Sequence, residues 1–225
     1  NPTAEQAPQA PAEMPPPSVR AEVGSQLTDA LSKASTAAWN GSVAEEPLFV
    51  FSIDPELDLR IVRQDATYAQ EISSVTGLCD VTATQWCELT ASLAAMQTIS
   101  KSQYDLFFKR SLQLDQMDRA AQTLLKYALG NIFAAFNFRN NSHPSSASLL
   151  AGLSILCDGS KSSKLLTGFR LFSDSNGDFI TKSSLQALLA AYLTMMFACS
   201  FDALRDDPQE LQSAIQTKCG RVVQQ

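Results

Sequence analysis

Three oxygen-bearing side chains, Asp174, Asn176 and Asp178, alternate along one polar segment beside Gly177. Carboxylate and amide oxygens are the ligands that calcium takes in proteins, and a glycine among them allows a sharp turn of the chain. These three residues are therefore the candidates for metal binding. Weak calcium binding is the single cofactor hypothesis that the sequence raises, and no other cofactor is predicted.

The side chains most used in catalysis are sparse. His143 is the single histidine, and its place between Ser142 and Pro144 predicts an exposed turn residue. The five cysteines show no C-x-x-C spacing, which predicts reduced thiols and a cytoplasmic location. No glycine-rich phosphate loop or G-x-S-x-G motif occurs. We therefore predict no catalytic residue, and we expect that the chain is not an enzyme.

Successive amphipathic helices are predicted from about Thr82 onward, so the predicted fold class is all-α. One helix has a single apolar face, formed by Leu125, Leu129, Ile132, Phe133 and Phe136. Another, after Ser184, has an apolar stripe formed by Leu185, Leu188, Leu189, Tyr192, Leu193 and Met196. A last helix is expected to begin at Asp207-Pro208, an N-cap followed by proline.

A repeat of 36 residues orders these helices. The pattern F-x-x-F at 133–136 recurs at 169–172, and Ser-Leu at 148–149 recurs at 184–185. Each repeat is then a helix, a polar loop and a second helix. Because such a helix–loop–helix cannot bury its apolar face alone, the units are predicted to pair.

The stretch at 169–189, FRLFSDSNGDFITKSSLQALL, resembles the EF-hand superfamily of the calmodulin, calcineurin-B and neuronal-calcium-sensor type. It contains the incoming aromatic pair, the D-x-N-x-D string, a glycine, and Ile180 before the exiting helix. The resemblance implies paired EF-hand-like helix–loop–helix units with short inter-loop β-bridges, preceded by an irregular N-terminal segment. It covers about 82–225.

Composition and the resemblance together predict a division of the chain. Residues 1–20 are predicted to be a flexible Pro/Ala-rich tail, and 21–80 an N-terminal extension with a short helix and a strand. The EF-hand-like helical domain occupies 81–225. Within it, the hands lie near 83–110, 122–158 and 160–200, and the incoming helix of a fourth hand lies at 207–225.

The first two loops lack the ligands that an EF-hand supplies at alternate positions, with a bidentate Glu at position 12. The loop at 137–148 contains no carboxylate, and Arg139 occupies its position 3. The earlier loop, at 92–103, has Leu, Ala and Met where ligands belong and is predicted to be a helical connection only.

The third loop admits two registers, which place either Ile180 at position 8 or Asp174 at position 1. In either register position 12 is not Glu, because it is Ser184 or Leu185. Degenerate calcium-binding loops of this kind predict that calcium binding is largely lost.

A Met-rich apolar helix face lines the partner groove in proteins of this family. The resemblance implies such a groove here, formed by Leu189, Leu193, Met195, Met196 and Phe197. The chain is therefore expected to be a protein-interaction or regulatory module, a scaffold in signalling. Its expected partner is an amphipathic helix or its own N-terminal segment, in which Trp39, Phe49 and Phe51 are the apolar anchors.

The charge is divided unevenly along the chain. The net charge of -6 is the sum of -8 over residues 1–80, with 12 acidic and 4 basic side chains, and +2 over residues 81–225, with 11 and 13. A mildly basic helical domain does not favour calcium binding electrostatically. The acidic charge of the whole chain does not predict a nucleic-acid partner. No apolar run is long enough for a transmembrane segment.

Two alternatives remain open from the sequence. In the first, the chain is a calcium sensor whose competent loop lies beyond Gln225, since the last predicted helix ends there. In the second, the chain is the regulatory region of a larger enzyme, which a first residue other than methionine, Asn1, allows.

Overall fold

The computed structural model describes residues 46–54, 57–112, 119–137, 143–173, 178–200 and 208–224. Within these ranges the chain is mostly helical, as the all-α class requires, and one two-stranded sheet accompanies the helices. The predicted tail at 1–20, the predicted helix within 21–45 and the anchor Trp39 lie outside the described residues.

The sheet is an antiparallel hairpin of β1 (Phe49–Asp54) and β2 (Leu57–Ile61). Phe49 pairs with Ile61, and the register shifts between Ser52 and Asp54. The hairpin contacts the last helix of the chain through β1. The ring of Phe49 is 48% exposed, so this residue is only half covered by the protein.

Nine helices are described, with a 3₁₀ turn at Leu78–Asp80 between the first two. Their bounds are α1 Arg63–Val75, α2 Ala83–Leu89, α3 Ala91–Ala94, α4 Lys101–Leu112, α5 Arg119–Phe136, α6 Ser146–Ser154, α7 Lys161–Phe172, α8 Lys182–Ala198 and α9 Pro208–Gln224.

The 36-residue repeat appears in the helix boundaries. Helices α5 and α7 end 36 residues apart, and α6 and α8 begin 36 residues apart. We call α5–loop–α6 unit one (119–154) and α7–loop–α8 unit two (161–198). The second helix of each unit begins with the same cap, because the hydroxyls of Ser145 and Thr181 accept hydrogen bonds from the backbone N–H groups of Ser148 and Ser184.

One large hydrophobic cluster joins α1, α2 and α4 to both units. The predicted apolar face of α5 lies within it, and all five of its residues are buried. Trp86 of α2 is also buried there, and its indole N–H donates to the carbonyl of Leu150 at 3.1 Å. Tyr68 and Ile72 of α1 belong to the same cluster, so the core extends across residue 80.

Helix α8 is buried on two sides, which differs from the single stripe that its sequence predicts. Leu188, Ala191 and Met195 face the main cluster, whereas Ala190 and Phe197 pack against α9 at Ile215 and Cys219 in a second cluster. Within the predicted stripe, Leu188 is buried, Leu185 is exposed and the other four are partly buried. The predicted stripe is wrong as a description of the buried face, because α6 and α9 cover α8 from different directions.

The segment before α4 is more than the helical connection that the sequence predicts. Helix α3 ends at Ala94, and the following loop forms an antiparallel β-bridge between Thr98 and Ser145 of unit one. Ile99 donates its N–H to the carbonyl of Pro144 at 3.0 Å. The prediction failed because ligand chemistry at these positions says nothing about their backbone hydrogen bonds.

Candidate functional site

The candidate metal residues fall in a loop that is described only in part. Asp174 and Asn176 lie outside the described residues, and Asp178 is exposed at the start of the described part. No group of three or more His, Cys, Asp or Glu side chains that could hold a metal ion is found among the residues described. Weak calcium binding at these three positions therefore stays a prediction.

The cap at the start of α8 can be compared with the register that places Ile180 at position 8. Thr181 is the N-cap of α8, as Ser145 is the N-cap of α6, and the two lie 36 residues apart. With Ile180 at position 8, both caps fall at position 9 of their loops and position 12 is Ser184. The N–H of Ser184 donates to Thr181 at 3.1 Å, so Ser184 belongs to the cap.

The five residues of the predicted partner groove are divided between two environments. Leu189, Leu193 and Phe197 pack in the second cluster, against α9 and Ile61 of β2. Met195, which is buried in the main cluster, and Met196, which is partly buried, line an open apolar cleft of about 190 Å³, and Ile61 lies at both the cleft and the second cluster. The chain's own last helix therefore covers three of the five residues.

The cleft, which we call the Met cleft, is built from four separate segments. Its lining consists of Ile61 from β2, Asp65, Ala66 and Ala69 from α1, Ile155 and Leu156 after α6, and Met195, Met196 and Cys199 at the end of α8. Small alanines on α1 leave the space, and two flexible thioether side chains form the opposite wall. Such a surface adapts to apolar groups of different shape.

The two polar side chains of the Met cleft are Asp65, which forms a helix cap, and Cys199, whose thiol is buried. The carboxylate of Asp65 accepts the backbone N–H of Val62 at 2.8 Å, which caps the start of α1. Burial raises the pKa of the Cys199 thiol to about 12, with a further contribution from the charge of Asp65. A thiol with that pKa is protonated at neutral pH, so Cys199 is a poor nucleophile and a poor metal ligand.

No protein-family model, curated protein or solved structure matches this chain. Among the helices described, none combines the length and apolar character that crossing a membrane requires. His143 is exposed, as predicted from its loop, and the five cysteines at 79, 87, 157, 199 and 219 are all free.

Sequence reasoning identified Met195 and Met196 but missed the opposite wall of the cleft. Helix α1 was not predicted, although Tyr68, Ile72 and Val75 recur at i, i+4 and i+7 and are all buried. That spacing is the sequence pattern from which the helix could have been predicted. No pattern in the sequence brings Ala69 and Leu156 together, because only the fold places them at one cleft.

Proposed function

We propose that the chain is a non-catalytic, EF-hand-like protein-interaction module that binds an amphipathic partner helix without calcium. An apolar anchor side chain of the partner would enter the Met cleft, between α1 and the end of α8. The observation that carries this proposal is the open apolar cleft lined by Met195 and Met196.

The EF-hand-like character is supported by the three loops. Ser100, Ser145 and Thr181 all precede the second helix of a helix–loop–helix, and each caps it through a hydrogen bond from the N–H of the residue three positions later. The hydrogen bond from the N–H of Ile99 to the carbonyl of Pro144 joins two of these loops at position 8, where EF-hand loops pair.

The loss of calcium ligands is supported by the use of position 12. Gln103, Ser148 and Ser184 stand where a bidentate Glu belongs. The side-chain oxygen of Gln103 accepts the N–H of Ser100 at 2.8 Å, which makes a reciprocal capping box. Position 12 of these loops therefore serves helix capping, and the loops retain a packing function without a cation.

A helical-peptide display library panned against the full chain tests the proposal. We expect the selected peptides to carry apolar residues at helical spacing, and to bind more than tenfold more weakly when Ala69→Trp fills the cleft. Gln70→Trp is the matched control, because it places the same side chain at the exposed neighbouring position of α1. The variant Met196→Gln keeps the length of the side chain and replaces its thioether by an amide. It therefore tests the side of the cleft that α8 forms.

Equal affinity of the selected peptides for wild type, Ala69→Trp and Met196→Gln would refute the Met cleft as the binding site. Circular dichroism of each variant separates lost binding from lost folding. Failure to select any helical peptide, with a folded wild-type chain, would count against the interaction function itself.

Calorimetric titration with calcium chloride tests the calcium-independent part of the proposal. We expect no binding in the sensor range, roughly 0.1–10 μM, because no described loop supplies a bidentate Glu. A saturable heat in that range, abolished by Asp178→Asn, would contradict the proposal and favour a calcium sensor.

A further inference from the structure

Unit two leaves exposed two apolar positions that unit one buries. Leu165 of α7 is 54% exposed, whereas Leu129, its equivalent 36 residues earlier, is 6% exposed. Leu185 of α8 is 37% exposed, whereas its equivalent Leu149 is 0% exposed. Unit one is covered by the preceding helices, where the ring of Tyr104 lies 5.2 Å from that of Phe133.

The exposed side of α7 has a regular arrangement. Leu165, Leu166 and Phe169 fall within about 100° on the helix, and Leu165 and Leu166 are the most exposed of the three. Exposed Lys161 and Arg170 lie on the two sides of this apolar strip. We call these five residues the α7 stripe. The buried side of the helix is formed by Thr167 and Gly168.

The stripe belongs to a basic part of the molecule. Helices α7 and α8 together contain four basic residues, Lys161, Lys164, Arg170 and Lys182, and no acidic residue. An apolar strip between two cations fits an amphipathic segment of opposite charge.

We propose that the α7 stripe is the docking surface for the N-terminal segment of the same chain, residues 1–45. This segment has five acidic and two basic side chains, a net charge of -3. Val23, Leu27 and Leu31 recur at i, i+4 and i+8, so a helix there would carry its apolar residues on one side. The inference goes beyond the Met cleft, which lies on other residues.

The position and length of the segment allow this docking. It joins the described chain at Glu46, next to the hairpin whose first strand contacts α9, and α9 packs on α8 of unit two. Forty-five extended residues can span roughly 150 Å, so reach does not restrict the segment to the near side of the protein.

Photo-crosslinking in the full chain tests the inference. A benzophenone side chain is introduced as Ala30→p-benzoylphenylalanine, which leaves Leu27 and Leu31 in place. We expect irradiation to give an intrachain crosslink to the peptide 161–172. The yield should fall about fivefold with Leu165→Glu or Arg170→Glu, and it should fall in about 0.5 M NaCl because the charge attraction is screened.

Matched controls are available on α4. Leu106→Glu introduces the same charge at a leucine that is 46% exposed, and Lys109→Glu reverses an exposed cation. Both variants should keep the wild-type crosslink. Because Leu165 and Arg170 are exposed, their variants should also keep the wild-type circular dichroism spectrum.

Four results would overturn the inference: crosslinks between two chains, crosslinks to another part of the same chain, no crosslink at all, or a crosslink to 161–172 that Leu165→Glu leaves unchanged. Interchain crosslinks to α7 would assign the stripe to a second copy instead. Sedimentation with phosphatidylserine–phosphatidylcholine vesicles, lost in Leu165→Glu, would assign it to a membrane. None of these readouts involves the Met cleft, so the two proposals fail separately.

Discussion

Unit one and unit two share the end of their first helix, the start of their second helix and the cap there, but they differ in what surrounds them. Unit one is joined to the loop before α4 by the bridge between Thr98 and Ser145, and its Leu129 and Leu149 are buried. Unit two packs on α6 and α9, yet it exposes Leu165 and Leu185. The local sequence pattern determines the helix–loop–helix. The neighbouring helices determine whether its apolar face is buried in the core or exposed.

Under the two proposals, unit one serves mainly stability and unit two contributes the binding surfaces. Unit one lies inside the main cluster, where deletion of apolar atoms leaves a cavity. The end of unit two contributes Met195 and Met196 to an open cleft, and its first helix carries the α7 stripe. We therefore expect substitutions in unit one to affect folding and equivalent substitutions in unit two to affect interactions.

The largest expected difference is between Leu149→Ala and Leu185→Ala, which remove the same atoms at equivalent positions. Leu149→Ala should lower the free energy of unfolding by about 3 kcal/mol, because its side chain is fully buried. Leu185→Ala should cost less than about 1 kcal/mol, because its side chain already contacts water. Urea denaturation of both variants measures the difference, and equal costs would break the comparison.

A second test concerns how closely α6 of unit one packs against its neighbours. A Cβ atom at Gly152 would lie 2.5 Å from Cζ of Phe136 and 3.3 Å from Cβ of Met195. Gly152→Ala should therefore lower the free energy of unfolding by about 1–3 kcal/mol, despite the better helix propensity of alanine.

Gly130→Ala is the matched control for Gly152→Ala, because a Cβ at Gly130 meets no atom within 4 Å. This change should stabilise the protein by about 0.5–1 kcal/mol, through a smaller loss of backbone entropy on folding. Thermal unfolding of the two variants checks both signs. A stabilising Gly152→Ala would show that α6 is not held at this close approach.

The smallest expected difference concerns the caps. Ser145→Ala and Thr181→Ala each remove one side-chain acceptor from the first turn of an exiting helix. Each should cost about 1 kcal/mol, since both cap residues are exposed and make the same bond. Denaturation midpoints of the two variants test this equality. Costs that differ by several-fold would mean that the units already differ at the level of local structure.

The parts of the fold that follow a one-sided helical period were accessible from the sequence. The five apolar residues of α5 are all buried, because this helix has one face toward the core. The repeat predicted where α5 and α7 end and where the loops between the helices lie. It could do so because it consists of aromatic pairs and helix caps, which act locally.

The remainder depends on packing between distant segments. For α8 the stripe prediction failed because two neighbours bury two sides, and the buried residues include the small Ala190 and Ala191. The Met cleft depends on where α1 meets the end of α8, so only its two methionines were identified. The resemblance implied short inter-loop β-bridges but did not locate the one between Thr98 and Ser145, because backbone pairing leaves no side-chain pattern.

Methionine-methyl NMR on the full chain tests the central claim, that the Met cleft receives a partner helix, most directly. A ¹³C-methyl-labelled chain is titrated with a display-selected helical peptide, and resonances are assigned by Met→Leu variants. We predict that the Met195 and Met196 methyl resonances shift, whereas that of exposed Met96 in the loop before α4 does not. Saturable peptide binding that leaves Met195 and Met196 unshifted would contradict the account.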